Sequence, residues 1–250
     1  LSFLYVYVLY SDEEYGLVFN HTEGQSLPLD TLKSFPTSNN IFVYNKKGFK
    51  RFLDSENLID MDMVRYFHRN EVMPDELETS AHEFFARTFP GFQNLNTIVP
   101  LTKHIEMCQE IVNVFFNDLD FYQNTEAFRF YNDTVLNSLY EIEKNGLFVH
   151  NGLANKYFDK TPVELGFVYS EYNPYTTTGR PSNRFNGINF AALKKDNGER
   201  SVFISRFGKD GFLMSFDYDA YHLRLLANLV DYSFPDNVSV HEYLGKYYFD

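Results

Sequence analysis

The sequence predicts an α/β fold, on three observations. In the first part of the chain, up to about residue 100, short apolar and aromatic segments alternate with segments of helical character. From Leu101 to Leu147, apolar residues recur every three or four positions, which predicts helices. Beyond Tyr169, a long polar loop is followed by further short apolar segments. Hydrophobic residues make up 44% of the 250 residues, which is typical of a globular protein.

The first elements are predicted to be strands. Leu4 to Tyr10 and Tyr15 to Phe19 are apolar and flank a polar turn, and Ile41 to Tyr44 reads as a short buried strand after a region rich in turn formers. Segments 49–54 and 74–88 have helical character, the second opened by Pro and Asp. We therefore expect a small α/β sandwich in this part of the chain.

Two helices are predicted next. The first has its apolar stripe at Ile105, Cys108, Ile111, Val112 and Phe115, and the second at Phe128, Tyr131, Val135, Leu136, Leu139 and Ile142. The second helix is expected to end at Asn145-Gly146, because glycine commonly follows a helix C-terminus. Core packing is the simplest interpretation of both stripes.

The last part of the chain is predicted to hold a loop, a hairpin and a helix. Segment 173–193 is a loop crowded with Thr, Ser, Asn, Gly and Arg. Val202 to Ile204 and Phe212 to Phe216 are expected to pair as strands. A helix is expected from Asp219 to Val230, with Asp219 as its N-cap.

Two residues of this region could carry chemistry. Asp217 is expected where a strand ends and a helix begins, a position that suits either a ligand of a hard cation such as Mg²⁺ or a helix-capping residue. Arg180, among hydroxyl and amide side chains, suits hydrogen bonding to base edges or sugars, or belongs to a solvated loop. Residue type leaves both alternatives open.

Composition bounds the partners and the compartment. The net charge of -12 is weak evidence against DNA binding, because phosphate contacts depend on where Lys and Arg lie. No apolar run approaches the roughly 18 residues of a membrane span. The single cysteine, Cys108, suits a reducing compartment, and we expect a cytoplasmic protein.

Two ordered segments resemble the palm entrance of family A DNA polymerases. They are TTTGRPSNRFNGINFAAL (176–193) and FDYDAYHLRLLANL (216–229). The family carries a T-x-T-G-R-x-S-S segment with a downstream N-x-x-N, followed by a hairpin and a D-Y-S-Q-x-E-L-R motif. Either motif is weak by itself, whereas the ordered pair is specific.

The resemblance implies nucleotidyl transfer by a two-metal mechanism. Asp217 would hold the Mg²⁺ ions, with the carbonyl of Tyr218 as an additional ligand. His222 stands where the family has the Glu that packs against the incoming sugar, and His241, in VHEYLGKYYF (240–249), would lie near the phosphates of the deoxynucleoside triphosphate. The implied contacts to primer–template DNA fall on Arg180, Ser182, Asn183, Asn186 and Asn189.

By position, the N-terminal part corresponds to the family's 3′–5′ exonuclease domain, which has a ribonuclease-H-like fold. That chemistry needs several acidic residues around two metals. The segments FLYVYVLY, NKKGFKRF (45–52) and LTKH (101–104) lack them, and only Asp60 and Asp62 remain. We expect a vestigial exonuclease domain at 1–104, a helical connector with a reduced thumb at 105–160 and the N-terminal part of the palm at 161–250.

The predicted function is template-directed DNA synthesis, by the N-terminal part of a truncated or split polymerase of phage-like lineage. We expect activity only with a C-terminal half that supplies the fingers and the second palm Asp, in the cytoplasm of a host cell if the protein is viral. The alternative is a non-catalytic DNA-binding or scaffold protein that keeps the polymerase fold. Nuclease activity is disfavoured by the missing acidic residues.

Overall fold

The computed structural model describes residues 2–32, 40–69, 92–95, 97–122, 125–158, 160–184, 187–194, 196–235 and 237–249. The chain forms two compact units, Leu1–Phe203 and Ile204–Asp250. The first unit combines a mixed sheet with several helices, so the predicted α/β class is confirmed. The helix expected over 74–88 lies outside the described residues.

The main sheet of the first unit is built around its first strand. Its strands are β1 (Ser2–Tyr10), β2 (Glu13–Phe19), β3 (Gly24–Pro28), β4 (Asn40–Val43), β5 (Leu58–Asp60) and β6 (Phe92–Asn94). They lie in the order β3-β2-β1-β4-β5. The first three form an antiparallel meander, β4 runs parallel to β1, and β5 runs parallel to β4. The second half of β1 pairs in parallel with β6. The three strands predicted in this region are confirmed.

Apolar side chains cover both faces of β1. Leu4, Val6 and Val8 belong to one buried cluster, whereas Tyr5 and Tyr7 belong to another on the opposite face. Alternate residues of a strand point to opposite faces, so a strand that is buried on both sides must be apolar throughout. The continuous apolar run at the start of the sequence has this physical cause.

Seven α-helices are described in the first unit. They are α1 (Leu29–Leu32), α2 (Lys46–Phe49), α3 (Met61–Arg69), α4 (Leu101–Tyr122), α5 (Glu126–Arg129), α6 (Leu136–Asn145) and α7 (Asn151–Tyr157). A π-helical segment, Phe130–Val135, joins α5 to α6. The predicted end of α6 is confirmed, since Gly146 caps it with a positive φ of 59°.

The helix predicted at 49–54 is wrong in position. The helix α2 covers Lys46–Phe49 instead, because the side chain of Asn45 caps it by accepting a hydrogen bond from the Gly48 amide at 3.2 Å. Of the stripe predicted on α4, Ile105, Cys108 and Val112 are buried in the same cluster as Leu4, which confirms the prediction for these three residues.

Two small antiparallel pairs complete the first unit. They are β7 (Leu147–Phe148) with β8 (Phe167–Val168), and β9 (Glu171–Asn173) with β10 (Ser182–Arg184). The predicted loop 173–193 is therefore partly a hairpin, a structure that its many polar side chains do not signal. The residues between β9 and β10 form the tip of this hairpin.

The second unit contains two helices, α8 (Tyr221–Leu229) and α9 (Val240–Phe249). The hairpin predicted before α8 is wrong. Val202 is buried in a cluster with Val149 and Ala154, and Phe203 forms a bridge with Val149. Because Phe203 pairs with Val149, the segment 202–204 does not pair with 212–216 as predicted. Residues 211–218 are irregular and mostly exposed.

The helix predicted from Asp219 to Val230 is present as α8, but its predicted N-cap is wrong. Ala220 occupies that position, in a left-handed conformation with φ 48°. The carboxylate of Asp219 instead accepts a hydrogen bond from the guanidinium of Arg224 at 2.9 Å, which draws it away from the helix amides.

Among the described helices, none is long and apolar enough to cross a membrane.

The burial of Cys108 predicts a thiol that reacts only when the protein unfolds. Its side chain is fully buried, and burial raises its pKa to about 12. Because the thiolate is the reacting species, we expect labelling by a disulfide reagent at pH 8 to be slower by at least about a thousandfold in the native protein than in urea. Rapid labelling of the native protein would contradict this packing of α4 on the sheet.

Candidate functional site

The hairpin β9–β10 carries Arg180 next to a tight turn. The amide of Gly179 donates to the carbonyl of Thr176 at 3.0 Å, and the Thr176 hydroxyl donates to the carbonyl of Arg180 at 2.8 Å. Gly179 has a φ of 69°, and a Cβ there would lie 3.1 Å from the hydroxyl of Tyr131. The turn is thus internally closed and requires glycine, and Arg180 beside it is exposed.

The other residues implied in DNA contact lie on or after β10. Ser182 and Asn189 are exposed. The side chain of Asn183 lies within the fold, where it donates to the hydroxyl of Ser170 and accepts from the amide of Phe190 at 3.1 Å. Asn186 lies outside the described residues. The hairpin therefore exposes Arg180 and Ser182, the segment after it exposes Asn189, and Asn183 holds that segment in place.

A buried ion pair fixes the base of this hairpin. The ammonium of Lys47 donates to the carboxylate of Glu143 and to the carbonyl of Tyr172, which lies in β9. The Glu143 carboxylate also accepts from the amide of Tyr172 at 2.7 Å. Both charged side chains are less than a tenth exposed. Residues of α2 and α6 therefore hold β9 through its own backbone groups.

A buried carboxylate fixes the segment that leads to the tip. Asp60 ends β5 and is completely buried. It accepts hydrogen bonds from the amide of Lys46 at 2.6 Å, from the amide of Met63 at 2.8 Å and from the hydroxyl of Tyr175 at 2.9 Å. Its two oxygens thus join β5 to the start of α2, the start of α3 and the hairpin.

The residue Asn132 completes this polar cluster. Its side chain accepts from the amide of Asp60 at 2.9 Å and donates to the carbonyl of Leu58 at 3.1 Å. The backbone carbonyl of Asn132 accepts a hydrogen bond from the ammonium of Lys46 at 2.9 Å. Asn132 lies in the π-helical segment that joins α5 to α6.

The electrostatics of Lys46 and Asp60 follow from their burial. Burial lowers the pKa of Lys46, an effect that the nearby carboxylates of Asp133 and Asp60 oppose. Burial likewise raises the pKa of Asp60, and its hydrogen bonds with Lys46, Met63 and Tyr175 oppose this rise. These groups are therefore expensive to bury and depend on their hydrogen bonds.

Sequence reasoning did not identify this cluster. The sequence shows Asp60 only as one of two acidic residues in a region that lacks the acids of an exonuclease. It shows Lys46 and Lys47 only as lysines where that family has an acid. One signal was present for Asn132, which follows Phe128 by four positions and so falls on the apolar face of its helix. A polar residue on such a face predicts a buried hydrogen-bonding partner.

In the second unit, Asp217, Tyr218 and His222 lie close together along the chain. Asp217 and Tyr218 end the irregular segment 211–218, and His222 lies in the first turn of α8. The ring of Tyr218 packs against Tyr221 at 5.5 Å. His241 lies in the first turn of α9. All four predicted residues are exposed.

Beside them, α8 and α9 enclose an apolar groove of about 500 Å³. The hydroxyls of Tyr232 and Tyr243 meet across it at 3.0 Å. Leu226 and Tyr247, which line the groove, are mostly exposed. Among the described residues, no group of three or more His, Cys, Asp or Glu side chains could hold a metal ion.

No protein-family model, no curated protein and no solved structure matches this chain.

The cluster around Asp60 predicts a large stability effect of its removal. Asp60→Ala leaves three buried donors without their acceptor, and we expect the free energy of unfolding to fall by about 3 kcal/mol or more. Asp54→Ala is the control, because Asp54 pairs with Lys50 at the surface and should contribute about 0.5 kcal/mol or less. Urea denaturation measures both. Equal stability of the two variants would contradict the role assigned to Asp60.

Proposed function

We propose that this chain is the N-terminal part of a family A-type DNA polymerase, which binds primer–template DNA and contributes one carboxylate to a two-metal nucleotidyl-transfer centre. The observation that carries the proposal is the ordered pair of motifs at 176–193 and 216–229. Two geometric features support it. Arg180 is presented beside a closed turn, and the Asp217 carboxylate is accessible to a ligand.

The first unit begins, in this proposal, with a vestigial exonuclease domain of ribonuclease-H-like fold. The mixed sheet, in which an antiparallel meander continues into parallel strands, suits that fold. The loss of nuclease chemistry is supported by the side chains at the carboxyl ends of β4 and β5. Lys46 and Lys47 follow β4, and the oxygens of Asp60 are occupied by donors from the protein. The connector at 105–160 and the palm from 161 onward remain part of the proposal.

The residues present fit a partial Mg²⁺ site. Mg²⁺ commonly takes one or two protein carboxylates and completes its shell with water and substrate phosphates. The exposed carboxylate of Asp217 and the adjacent carbonyl of Tyr218 are oxygen donors of this kind. Mg²⁺ held there would activate the primer 3′-hydroxyl and neutralise charge on the triphosphate. The second palm carboxylate and the fingers would come from a C-terminal half.

The other exposed residues take roles in binding. Arg180 would hydrogen-bond in the minor groove at the primer terminus, where a guanidinium reaches base and sugar acceptors. Ser182 and Asn189 would contact the duplex nearby, with Asn183 and Asn186. His222 would pack against the sugar of the deoxynucleoside triphosphate and His241 would lie near its phosphates. We place this activity in the cytoplasm, of a host cell if the lineage is phage-like.

A primer-extension assay tests the catalytic role of Asp217. The chain is mixed with Mg²⁺, deoxynucleoside triphosphates and a polypeptide that carries the fingers and the second carboxylate. We expect extension only in the mixture, and Asp217→Asn should reduce its rate by at least about a hundredfold, since charge stabilisation at the reacting centre is lost. The matched control is Asp210→Asn, an exposed acid in the same unit.

Two outcomes would overturn the enzymatic proposal. If no mixture extends the primer while the chain still binds primer–template DNA, the protein is a non-catalytic DNA-binding or scaffold protein. If neither extension nor binding occurs, the carry-over from the polymerase family fails entirely. Equal loss of activity in both Asp variants would remove the specific role of Asp217.

Arg180 is expected to contribute directly to DNA affinity. Arg180→Ala should weaken binding of a fluorescent primer–template about tenfold, the effect of losing a bidentate contact. Arg180→Lys keeps the charge but not the fork of donors, so it should recover only part of the affinity. Arg51→Ala, which removes another exposed arginine of the same unit, is the control. Fluorescence anisotropy at one fixed salt concentration measures all three, and equal affinities would contradict the role of Arg180.

A further inference from the structure

We propose that β5 and the neighbouring helices α2 and α3 hold the β9–β10 hairpin in place, with Lys47, Asp60 and Tyr66 as positioning residues that set how Arg180 meets DNA. The part of this inference that concerns DNA rests on the proposed function. The part that concerns the hairpin rests on geometry.

The hairpin is held at three places by side chains of α2, α6, β5 and α3. At the base, Lys47 binds the carbonyl of Tyr172, and Glu143 binds its amide. In the middle, Asp60 binds the hydroxyl of Tyr175. At the tip, the hydroxyl of Tyr66 donates to the carbonyl of Thr176 at 2.7 Å. Anchors at base, middle and tip restrict both sliding and tilting of a short hairpin.

The anchor at the tip acts on the turn next to Arg180. The carbonyl of Thr176 accepts from the hydroxyl of Tyr66 and from the amide of Gly179, so one oxygen joins α3 to the turn. The aromatic rings of Tyr66 and Tyr175 also pack against each other, with their centroids 6.0 Å apart. Gly179 fits against the hydroxyl of Tyr131 so closely that a Cβ there would lie 3.1 Å away.

The chemistry of these anchors favours positioning over simple stabilisation. Buried polar and charged groups such as Lys47 and Asp60 cost more to desolvate than apolar residues of the same volume. Replacing a whole buried network by well-packed apolar residues is often neutral or stabilising, whereas removing one partner is destabilising. Hydrogen bonds, unlike apolar contacts, fix direction as well as distance. Anchors of this chemistry are therefore suited to holding one orientation of the hairpin.

The test removes one anchoring hydroxyl and keeps its ring. In Tyr66→Phe, we expect amide hydrogen exchange across residues 176–184 to accelerate about two- to tenfold, the range expected for one lost hydrogen bond. Tyr10→Phe is the matched control, because its hydroxyl donates to a backbone carbonyl, that of Thr97, away from the hairpin. Tyr175→Phe, which removes the hydrogen bond to Asp60, should act as Tyr66→Phe does. This arm of the experiment needs no DNA.

The second arm asks whether the anchor acts through Arg180. Tyr66→Phe should weaken binding of a fluorescent primer–template about two- to tenfold in the full chain. In the Arg180→Ala background, the same change should have almost no further effect, because the residue that it positions is absent. A merely structural role would weaken binding equally in both backgrounds, and that result would overturn the proposal.

The two arms separate this inference from the proposed function. If the unaltered chain fails to bind primer–template DNA, the proposed function fails, and the exchange data still decide whether Tyr66 holds the hairpin. If exchange across 176–184 is the same in Tyr66→Phe, Tyr10→Phe and the unaltered chain, the hairpin is not held in this way. The inference is then wrong, whatever the DNA result.

Discussion

The fully buried carboxylate of Asp60 is the constraint on which the first unit depends. Its oxygens receive hydrogen bonds from three chain segments, and its own amide is bound by Asn132. An ionised group in an apolar interior is tolerated only when such donors surround it. The strand that carries Asp60, the helices that begin beside it and the hairpin that carries Arg180 are thus required to meet at one point, which gives this unit its geometry.

The two units have different kinds of interior. The first has apolar clusters on both faces of its sheet, including Leu4 on one face and Tyr5 on the other, and a polar cluster at one end. In the second, Ala227 and Val240 are buried, whereas Phe216 and Leu229 are mostly exposed. The residues that the proposed function assigns to DNA contact therefore belong to a unit with a packed interior, and those that it assigns to metal and nucleotide binding are exposed.

Local patterns of hydrophobicity and turn residues predicted the secondary structure correctly where neighbouring residues in the sequence decide it. Strand β1 and the end of α6 follow directly from an apolar run and from Gly146. Predictions failed where a distant contact decides. The hairpin before Asp217 was lost to the bridge between Phe203 and Val149, which no local pattern reveals. The cluster around Asp60 was missed for the same reason, since its partners are far apart in sequence.

The π-helical segment also limits how this chain can change in length. Each residue of a helix turns its successors by about 100°, and the wide turn accommodates one residue more than regular winding would, so that Leu136 and Leu139 still face the core. Deleting one residue from Phe130–Val135 would therefore restore regular α-helical winding and keep both leucines in the interior. An insertion would instead rotate both leucines out of the interior. Loss of one residue in this segment is thus expected to be tolerated better than gain of one.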